Sequence, residues 1–221
     1  MFEDLTVFVV DDDQPSRKSV VALVRSMGVA VRDFASAEEF LAALDPTWQG
    51  CVVTDVRMVG LSGLELQQEL RCRGAALPVI VMTAYPRTAT TVQAMRAGAV
   101  TVLDKPYAED DLWDAIRTAL AHAQETRRRV ARRAELETRL AKLTPEERAV
   151  MDLLVAGWAN KQIAARLDIG VRTVEARRHQ VHVKMGAGSL AELVRLAVEA
   201  GLTGSRDEPP APPPSSGDVS P

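Results

Sequence analysis

The chain has 221 residues, of which 47% are hydrophobic and 26% are charged, and its formal net charge is −3 at pH 7. This length suits two small globular domains. No stretch approaches the roughly 18 apolar residues of a membrane span, and the N-terminus lacks a basic leader, so we expect a cytoplasmic protein without a membrane partner. Its cysteines, Cys51 and Cys72, have no CxxC spacing, which favours structural thiols over a metal or redox role.

Five apolar runs alternate with amphipathic stretches of helical length between residues 5 and 106. The runs are Leu5–Val10, Val29–Phe34, Cys51–Thr54, Pro78–Met82 and Val100–Leu103. This repeated βα pattern predicts a five-stranded, doubly wound parallel sheet with helices on both faces. Ser36 with Glu39 and Ser62 with Glu65 have the spacing of a capping box, which predicts helix starts at these serines.

A long stretch from Glu109 to Leu143 contains neither Gly nor Pro and predicts that the last helix of the first domain extends into a connector. Its apolar spacing breaks at Gln124–Arg129, so a short dimeric coiled coil and a solvated linker helix remain equal alternatives. An arginine cluster at residues 127–133 is read as a solvated face balanced by nearby glutamates in preference to a DNA-backbone contact.

A second domain begins at Thr144-Pro145-Glu146-Glu147, which joins an N-cap hydroxyl to Pro at the first helical position and Glu at the third. Three more short helices are predicted at Asn160–Leu167, Val171–Met185 and Leu190–Ala200, a pattern that suits a helix-turn-helix module. Beyond Gly204, Pro, Ser and acidic residues predict a disordered tail. The predicted organisation is therefore a 1–120 α/β domain, a 121–142 helical linker, a 143–203 helix-turn-helix domain and a 204–221 Pro-rich tail.

Polar residues follow the ends of the apolar runs in the first domain, at Asp11, Asp12, Asp55, Thr83 and Lys105. Ligand sites of open parallel sheets lie at this edge, so we expect the five side chains to converge in one crevice. Three neighbouring carboxylates repel one another unless a cation neutralises them, and Mg²⁺ is the first candidate. With Mg²⁺ present, Asp55 would act as an attacking carboxylate, while Thr83 and Lys105 would bind the incoming phosphoryl group.

The motifs around these residues resemble the receiver domain of two-component response regulators. They are Val9–Asp13, Val53–Met58, Met82–Ala84 and Asp104–Tyr107. The second half resembles the LuxR-type helix-turn-helix through Leu143–Arg148, Asn160–Ala164 and Thr173–Glu175. Together, the two halves resemble the FixJ/NarL branch of transcriptional response regulators, and FixJ-like members most of all.

The resemblance implies a role for each acidic position. Asp55 would be the phosphoacceptor, and Asp11, Asp12 and Asp55 would hold Mg²⁺ together with the main-chain carbonyl of Arg57. Asp13, the third acidic residue in the row, is instead expected to cap a helix or to face solvent.

The resemblance also implies a switch, in which Thr83 and Lys105 sense the phosphoryl group, and a cis peptide bond before Pro106. Two positions depart from the family pattern. Val59 replaces a usual proline, and Val102 stands where many members have a switch aromatic, so Tyr85 or Tyr107 is a candidate for the missing ring.

The implied partners are a sensor histidine kinase as phosphoryl donor, double-stranded promoter DNA, a second copy of the chain on activation, and RNA polymerase as a further candidate. No enzymatic activity is expected beyond autocatalytic phosphotransfer to Asp55 and slow self-dephosphorylation. Dimerisation is part of the expectation because residues 141–202 have a formal charge of only about +2, and two modules on adjacent half-sites would add affinity.

A polar face is predicted on the helix Val171–Met185, where Arg172, Glu175, Ala176 and His179 follow the spacing i, i+3, i+4 and i+7. Glu175 is a candidate acceptor from cytosine, and His179 is a candidate donor to a purine edge or a phosphate. The candidate phosphate contacts are Lys161, Arg172, Thr173, Arg178 and Lys184.

Two other functions compete with a phosphorylation-controlled transcription factor. In the first, the receiver is a constitutive dimerisation or ligand-binding module without phosphotransfer. In the second, the first domain is a phosphoryl-transfer enzyme of the haloacid dehalogenase type. That alternative is disfavoured because Asp55-Val56-Arg57 lacks the second aspartate that such enzymes use, and because it leaves the helix-turn-helix without a role.

Overall fold

Strands β1 to β5 form one parallel sheet in the order β2-β1-β3-β4-β5 in a computed structural model that describes residues 4–202. The strands are β1 Thr6–Val10, β2 Ala30–Phe34, β3 Gly50–Asp55, β4 Val79–Thr83 and β5 Thr101–Asp104. The helices between and after them are α1 Gln14–Ser26, α2 Ala37–Ala43, α3 Gly63–Cys72, α4 Thr88–Arg96 and α5 Glu109–Ala141. The predicted doubly wound α/β fold is confirmed, with each strand boundary within one residue or so of the apolar runs.

The sheet buries both faces, which explains its nearly continuous apolar strands. Val7 and Val9 of β1 lie in a core that includes residues of α1 and α5, whereas Phe8 and Val10 lie in a second core that includes residues of α2, α3 and α4. All four β1 side chains are at most 1% exposed. Each such side chain contributes about 1.5–3 kcal/mol by leaving water, so burial on both faces stabilises the sheet.

The two predicted capping boxes of this domain differ. Ser62 and Glu65 make both reciprocal hydrogen bonds at the start of α3. At α2, the Ser36 hydroxyl accepts from the Glu39 N–H at 3.1 Å, but the Glu39 carboxylate accepts from the N–H of Ala35 instead of Ser36. The second half of the predicted box at Ser36 is therefore wrong, because the carboxylate reaches one residue further back.

Four helices form the C-terminal part, as the helix-turn-helix interpretation predicts: α6 Pro145–Val155, α7 Asn160–Leu167, α8 Val171–Met185 and α9 Leu190–Glu199. The Thr144 hydroxyl and the Glu147 carboxylate complete the predicted capping box at the start of α6. Helices α6, α7, α8 and α9 share one core that includes Val150, Ile163 and Leu193. Residues 204–221, predicted as a disordered tail, lie outside the described residues.

The chain divides after Arg128 into two compact units. Helix α5 runs through this boundary, and its Leu136 is 3% exposed in the core of the second unit. The second unit therefore begins inside the predicted linker 121–142, because the leucines near the end of α5 keep a helical spacing that packs them against α6 to α9. Residues 127–135 of α5 are exposed.

The arginine cluster of α5 has carboxylate neighbours. Arg133 pairs with Glu137 at 3.0 Å, and Arg132 pairs with Glu199 at 2.8 Å within the second unit. These contacts favour the interpretation as a solvated, charge-balanced face. No helix among residues 4–202 is both long enough and apolar enough to cross a membrane.

Candidate functional site

Lys105 connects two carboxylates at the carboxyl edge of the sheet. Its Nζ donates to Oδ1 of Asp55 at 2.6 Å and to Oδ2 of Asp11 at 3.0 Å. Asp11 and Asp55 are 1% and 8% exposed. Partial burial opposes the charge of Lys105, but the hydrogen bonds that it donates to Asp55 and Asp11 outweigh this effect and raise the pKa of Lys105.

The strand register explains why these residues meet. Val10 pairs with Thr54, so the next residues along β1 and β3, Asp11 and Asp55, leave the sheet side by side. On the other side of β3, Thr83 pairs with Asp104, directly before Lys105. The peptide bond between Lys105 and Pro106 is cis, as predicted.

Asp12 does not join this cluster. Its carboxylate is exposed and Oδ2 accepts a hydrogen bond from the main-chain N–H of Val59 at 2.9 Å. Within residues 4–202, no three Asp, Glu, His or Cys side chains are grouped as a metal site. The expected convergence of three carboxylates thus holds for Asp11 and Asp55 and fails for Asp12 in this structure, because Lys105 bridges the first two while the third accepts from an amide.

Thr83 ends β4 and is 2% exposed. Its hydroxyl accepts a hydrogen bond from the main-chain N–H of Tyr85 at 3.2 Å. The ring centroid of Tyr85 lies 4.3 Å from the guanidinium carbon of Arg57. The main-chain N–H of Arg57 donates to Oδ2 of Asp55 at 2.6 Å. Val102 is half-buried against the apolar core that includes α4 residues. Of the two candidate rings, Tyr85 contacts Arg57, whereas Tyr107 packs against the core that includes α1 and α5 residues.

Ser16 is a site residue that sequence reasoning missed. Its hydroxyl donates to Oδ2 of Asp11 at 2.7 Å and lies 3.0 Å from Nζ of Lys105. Asp13 accepts from the Ser16 N–H at 2.9 Å as the N-cap of α1, which confirms its predicted capping role. The sequence held a signal for Ser16, because an N-cap at Asp13 places Ser16 in the first turn of α1, where its hydroxyl reaches Asp11.

Gly63, the first residue of α3, was also missed, although its backbone packs directly against Asp55. A Cβ atom at this position would lie 2.2 Å from the carbonyl oxygen of Asp55. The backbone of α3 therefore approaches the end of β3 more closely than any other residue type allows. Only the tertiary structure reveals this contact, because the backbone of Gly63 needs no unusual φ angle.

The predicted polar face of α8 is present in the second unit. Arg172, Glu175, Ala176 and His179 are all exposed, and so is Thr173. The opposite side of the helix is buried in the domain core through Val174, Val181 and Met185, each 0% exposed. Gly170 caps α8 without a side-chain hydrogen bond.

Three basic candidates near this face have different surroundings. Lys161 is exposed, whereas Arg178 is half-buried and donates to Oδ1 of Asn160 at 3.3 Å. Lys184 donates to both carboxylate oxygens of Glu147, at 2.7 and 2.9 Å. This hydrogen bond, together with the one from the Thr144 N–H, lowers the pKa of Glu147. The structure thus gives Lys184 an internal partner that its sequence position did not indicate.

A receiver-type sheet with an acidic edge, combined with a helix-turn-helix, defines a DNA-binding response regulator. The family described as response regulator receiver domain matches residues 7–117, and the family described as bacterial regulatory proteins, luxR family, matches residues 141–197. The chain belongs to the FixJ-like response regulators, which combine these two domains. A kinase and DNA are the kinds of partner that this combination implies.

Individual relatives cover nearly all of the chain. The transcriptional regulatory protein FixJ of Azorhizobium caulinodans is 46% identical over 210 residues, which is 95% of this chain and 100% of the relative. Among solved structures, the response regulator StyR has a TM-score of 0.80 at 40% identity and covers 89% of this chain and 99% of its own. Full-length FixJ from B. japonicum has a TM-score of 0.56 at 41% identity, with coverages of 91% and 99%.

Proposed function

We propose that this protein is a cytoplasmic transcription factor controlled by phosphorylation of Asp55 by a sensor histidine kinase. Phosphorylation promotes formation of a homodimer, which binds promoter DNA through the two α8 helices. The observation that carries the proposal is the contact between Nζ of Lys105 and Oδ1 of Asp55, at 2.6 Å, on a buried carboxylate at the sheet edge.

The chemistry needs little beyond positioning and charge. A carboxylate oxygen of Asp55 forms the new bond to phosphorus, while the bond from phosphorus to the kinase's histidine nitrogen breaks and the imidazole leaves with its electron pair. Lys105 supplies a positive charge to the transferred oxygens, and the Thr83 hydroxyl donates a hydrogen bond to one of them. No other enzymatic activity is proposed, apart from slow hydrolysis of the acyl phosphate.

Receiver domains generally bind Mg²⁺ at their acidic site, and the donors of this chain fit it. Asp11 and Asp55 share one sheet edge and offer hard carboxylate oxygens, and Asp12 would join them by turning from the Val59 amide. The main-chain carbonyl of Arg57 is the proposed neutral ligand. When bound, Mg²⁺ neutralises charge on the phosphoryl oxygens. Lys105 pairs with both Asp11 and Asp55 and so holds these two carboxylates side by side.

Tyr85 supplies the aromatic part of the switch in place of Val102. Its N–H is bound to the hydroxyl of Thr83, and its ring rests on Arg57. Turning of the Thr83 hydroxyl towards the phosphoryl group breaks the first of these bonds. Because the Tyr85 ring is 59% exposed, this movement alters a surface at which a second receiver pairs.

The exposed face of α8 is the proposed reader of the major groove. Glu175 and His179 contact base edges there, while Arg172, Thr173 and Lys161 contact phosphates. Arg178 lies at the margin of this surface, and Lys184 acts mainly inside the domain through Glu147. RNA polymerase is the proposed partner of the DNA-bound dimer.

Intact mass and solution molecular weight test the proposal together. The full chain is incubated with Mg²⁺ and acetyl phosphate or phosphoramidate, alongside Asp55→Asn. The wild type is expected to gain one phosphoryl group and shift to a dimer, and the variant is expected to do neither. A wild type that gains no phosphoryl group from either donor contradicts phosphotransfer and favours a constitutive DNA-binding protein.

A further inference from the structure

We propose that the main-chain amide of Val59 is a latch that holds Asp12 away from the Mg²⁺ site and so sets the affinity for the ion. The proposal rests on the proposed function, because it concerns access to that Mg²⁺ site. It assigns a positioning role to a residue whose side chain takes no part in the chemistry.

The latch is one hydrogen bond between segments that are 47 residues apart. Oδ2 of Asp12 accepts from the N–H of Val59 at 2.9 Å. The residue Val59 is 82% exposed, so its side chain is not held in a core. What Val59 contributes to the site is therefore its backbone N–H.

Two alternate amides of the same loop bind two different carboxylates. The N–H of Arg57 donates to Oδ2 of Asp55 at 2.6 Å, and the N–H of Val59 donates to Oδ2 of Asp12. With the ammonium of Lys105, these donors give each of the three carboxylates Asp11, Asp12 and Asp55 a hydrogen bond. The loop thus compensates for the negative charge of Asp12 by means of an amide.

Binding of Mg²⁺ competes with this amide. Within residues 4–202, Asp12 is not grouped with two further carboxylates around a common point, and its carboxylate contacts the loop through the Val59 amide. In the latch, the carboxylate of Asp12 turns away from Val59 when it joins Asp11 and Asp55 around one ion. Loss of this solvent-exposed hydrogen bond then weakens the apparent affinity for Mg²⁺ by roughly threefold to tenfold, the range of an ordinary intramolecular hydrogen bond.

The Val59 amide could instead orient Asp12 for Mg²⁺ binding, and the two roles predict opposite changes in Mg²⁺ affinity when the amide is removed. Hydrogen bonds to metal-binding carboxylates often orient them, and their removal then weakens metal binding. A latch predicts tighter binding when the Val59 amide is removed, whereas an orienting donor predicts weaker binding.

Proline is the one natural residue without a backbone N–H, so Val59→Pro removes the donor and Val59→Ala is the matched control that keeps it. Mg²⁺ affinity is measured by isothermal titration calorimetry on the full chain. Val59→Pro is expected to bind Mg²⁺ roughly three to ten times more tightly than wild type, and Val59→Ala is expected to match wild type. Equal or weaker binding by a folded Val59→Pro variant overturns the latch.

A second measurement uses the wild-type chain, in case the proline variant does not fold. The amide of Val59 is followed by NMR in ¹⁵N-valine-labelled protein during titration with Mg²⁺. The latch predicts that this amide exchanges faster with solvent and that its proton resonance moves upfield as the ion binds. An amide that keeps its protection and resonance at saturating Mg²⁺ overturns the proposal.

Asp12→Asn separates failure of the latch from failure of the metal site. If wild type binds Mg²⁺ and Asp12→Asn binds it more weakly, the site stands, and a Val59→Pro result equal to wild type overturns the latch alone. If wild type shows no Mg²⁺ binding, both the latch and the proposed metal site are contradicted.

Discussion

The ammonium of Lys105 donates to the carboxylate of Asp55 at 2.6 Å across 50 residues of chain, and it also binds Asp11 at 3.0 Å. The side chain of Lys105 is 21% exposed. Two carboxylates that share one cation at the end of a buried sheet repel each other when that cation is removed.

Lys105→Met is therefore expected to lower the free energy of unfolding by about 1–2 kcal/mol at neutral pH, less than for a fully buried pair. Chemical denaturation in the absence of Mg²⁺ measures this change. Because the pKa of Lys105 is raised in the folded state, its contribution to stability is complete below the ordinary value of 10.5. The difference in unfolding free energy between wild type and Lys105→Met should therefore be constant around neutral pH and shrink only above that value. A difference that disappears at neutral pH contradicts the ion-pair role.

The sheet and its acidic edge could be predicted because parallel strands bury both faces and end at one side. The direction of individual side chains could not be predicted, because the orientation of Asp12 towards the Val59 amide depends on a contact between distant segments. Leu136 shows a similar limit. Its spacing predicts a helix, but which core the helix covers depends on packing with α6 to α9. The sequence predicts a phosphate contact for Lys184 because its ion-pair partner, Glu147, lies 37 residues away and cannot be identified without the tertiary structure.

Gly63→Ala is expected to disturb the phosphoacceptor directly. The added Cβ would lie 2.2 Å from the Asp55 carbonyl oxygen, so α3 and the end of β3 have to separate. Stability should fall by about 1–3 kcal/mol, and labelling by phosphoramidate should slow. Gly188→Ala is the matched control, because its Cβ would make only an ordinary contact of 3.5 Å. Equal stability of the two variants argues against the close approach.

The contact between Lys184 and Glu147 predicts separate effects on stability and DNA binding. Lys184→Met should destabilise the second unit, while Arg172→Ala should leave stability unchanged and weaken DNA binding. The lowered pKa of Glu147 stabilises the fold above its ordinary value of 4.5, so the loss in Lys184→Met should shrink as the pH falls below that value.

Thermal unfolding across pH and fluorescence anisotropy with a random double-stranded oligonucleotide measure these two properties. Lys184→Arg is the control that keeps a positive charge beside Glu147. The assignment fails if Lys184→Met retains wild-type stability but loses DNA affinity as strongly as Arg172→Ala.

The two cysteines should differ in reactivity. Burial raises the pKa of Cys51 to about 12, whereas Cys72 is exposed. Because the thiolate is the reactive form, a thiol reagent such as dithionitrobenzoate should titrate one thiol in the native protein and two in denaturant. In Cys72→Ser, the native reaction should disappear, and rapid labelling of the native variant would show that the β3 core opens.

Tyr85 should couple phosphorylation to dimerisation while leaving phosphorylation itself intact. The main-chain N–H of Tyr85 donates to the Thr83 hydroxyl, and the ring of Tyr85 contacts Arg57. Tyr85→Phe therefore keeps both contacts, whereas Tyr85→Ala loses the ring contact. Tyr85→Ala is expected to accept a phosphoryl group at the wild-type rate by intact mass but to show a weaker shift to dimer by light scattering. Tyr85→Phe is expected to behave as wild type in both measurements. If Tyr85→Ala dimerises fully, the ring has no part in the switch, and the signal must leave Thr83 by another route, for which half-buried Val102 on the neighbouring strand β5 is a candidate.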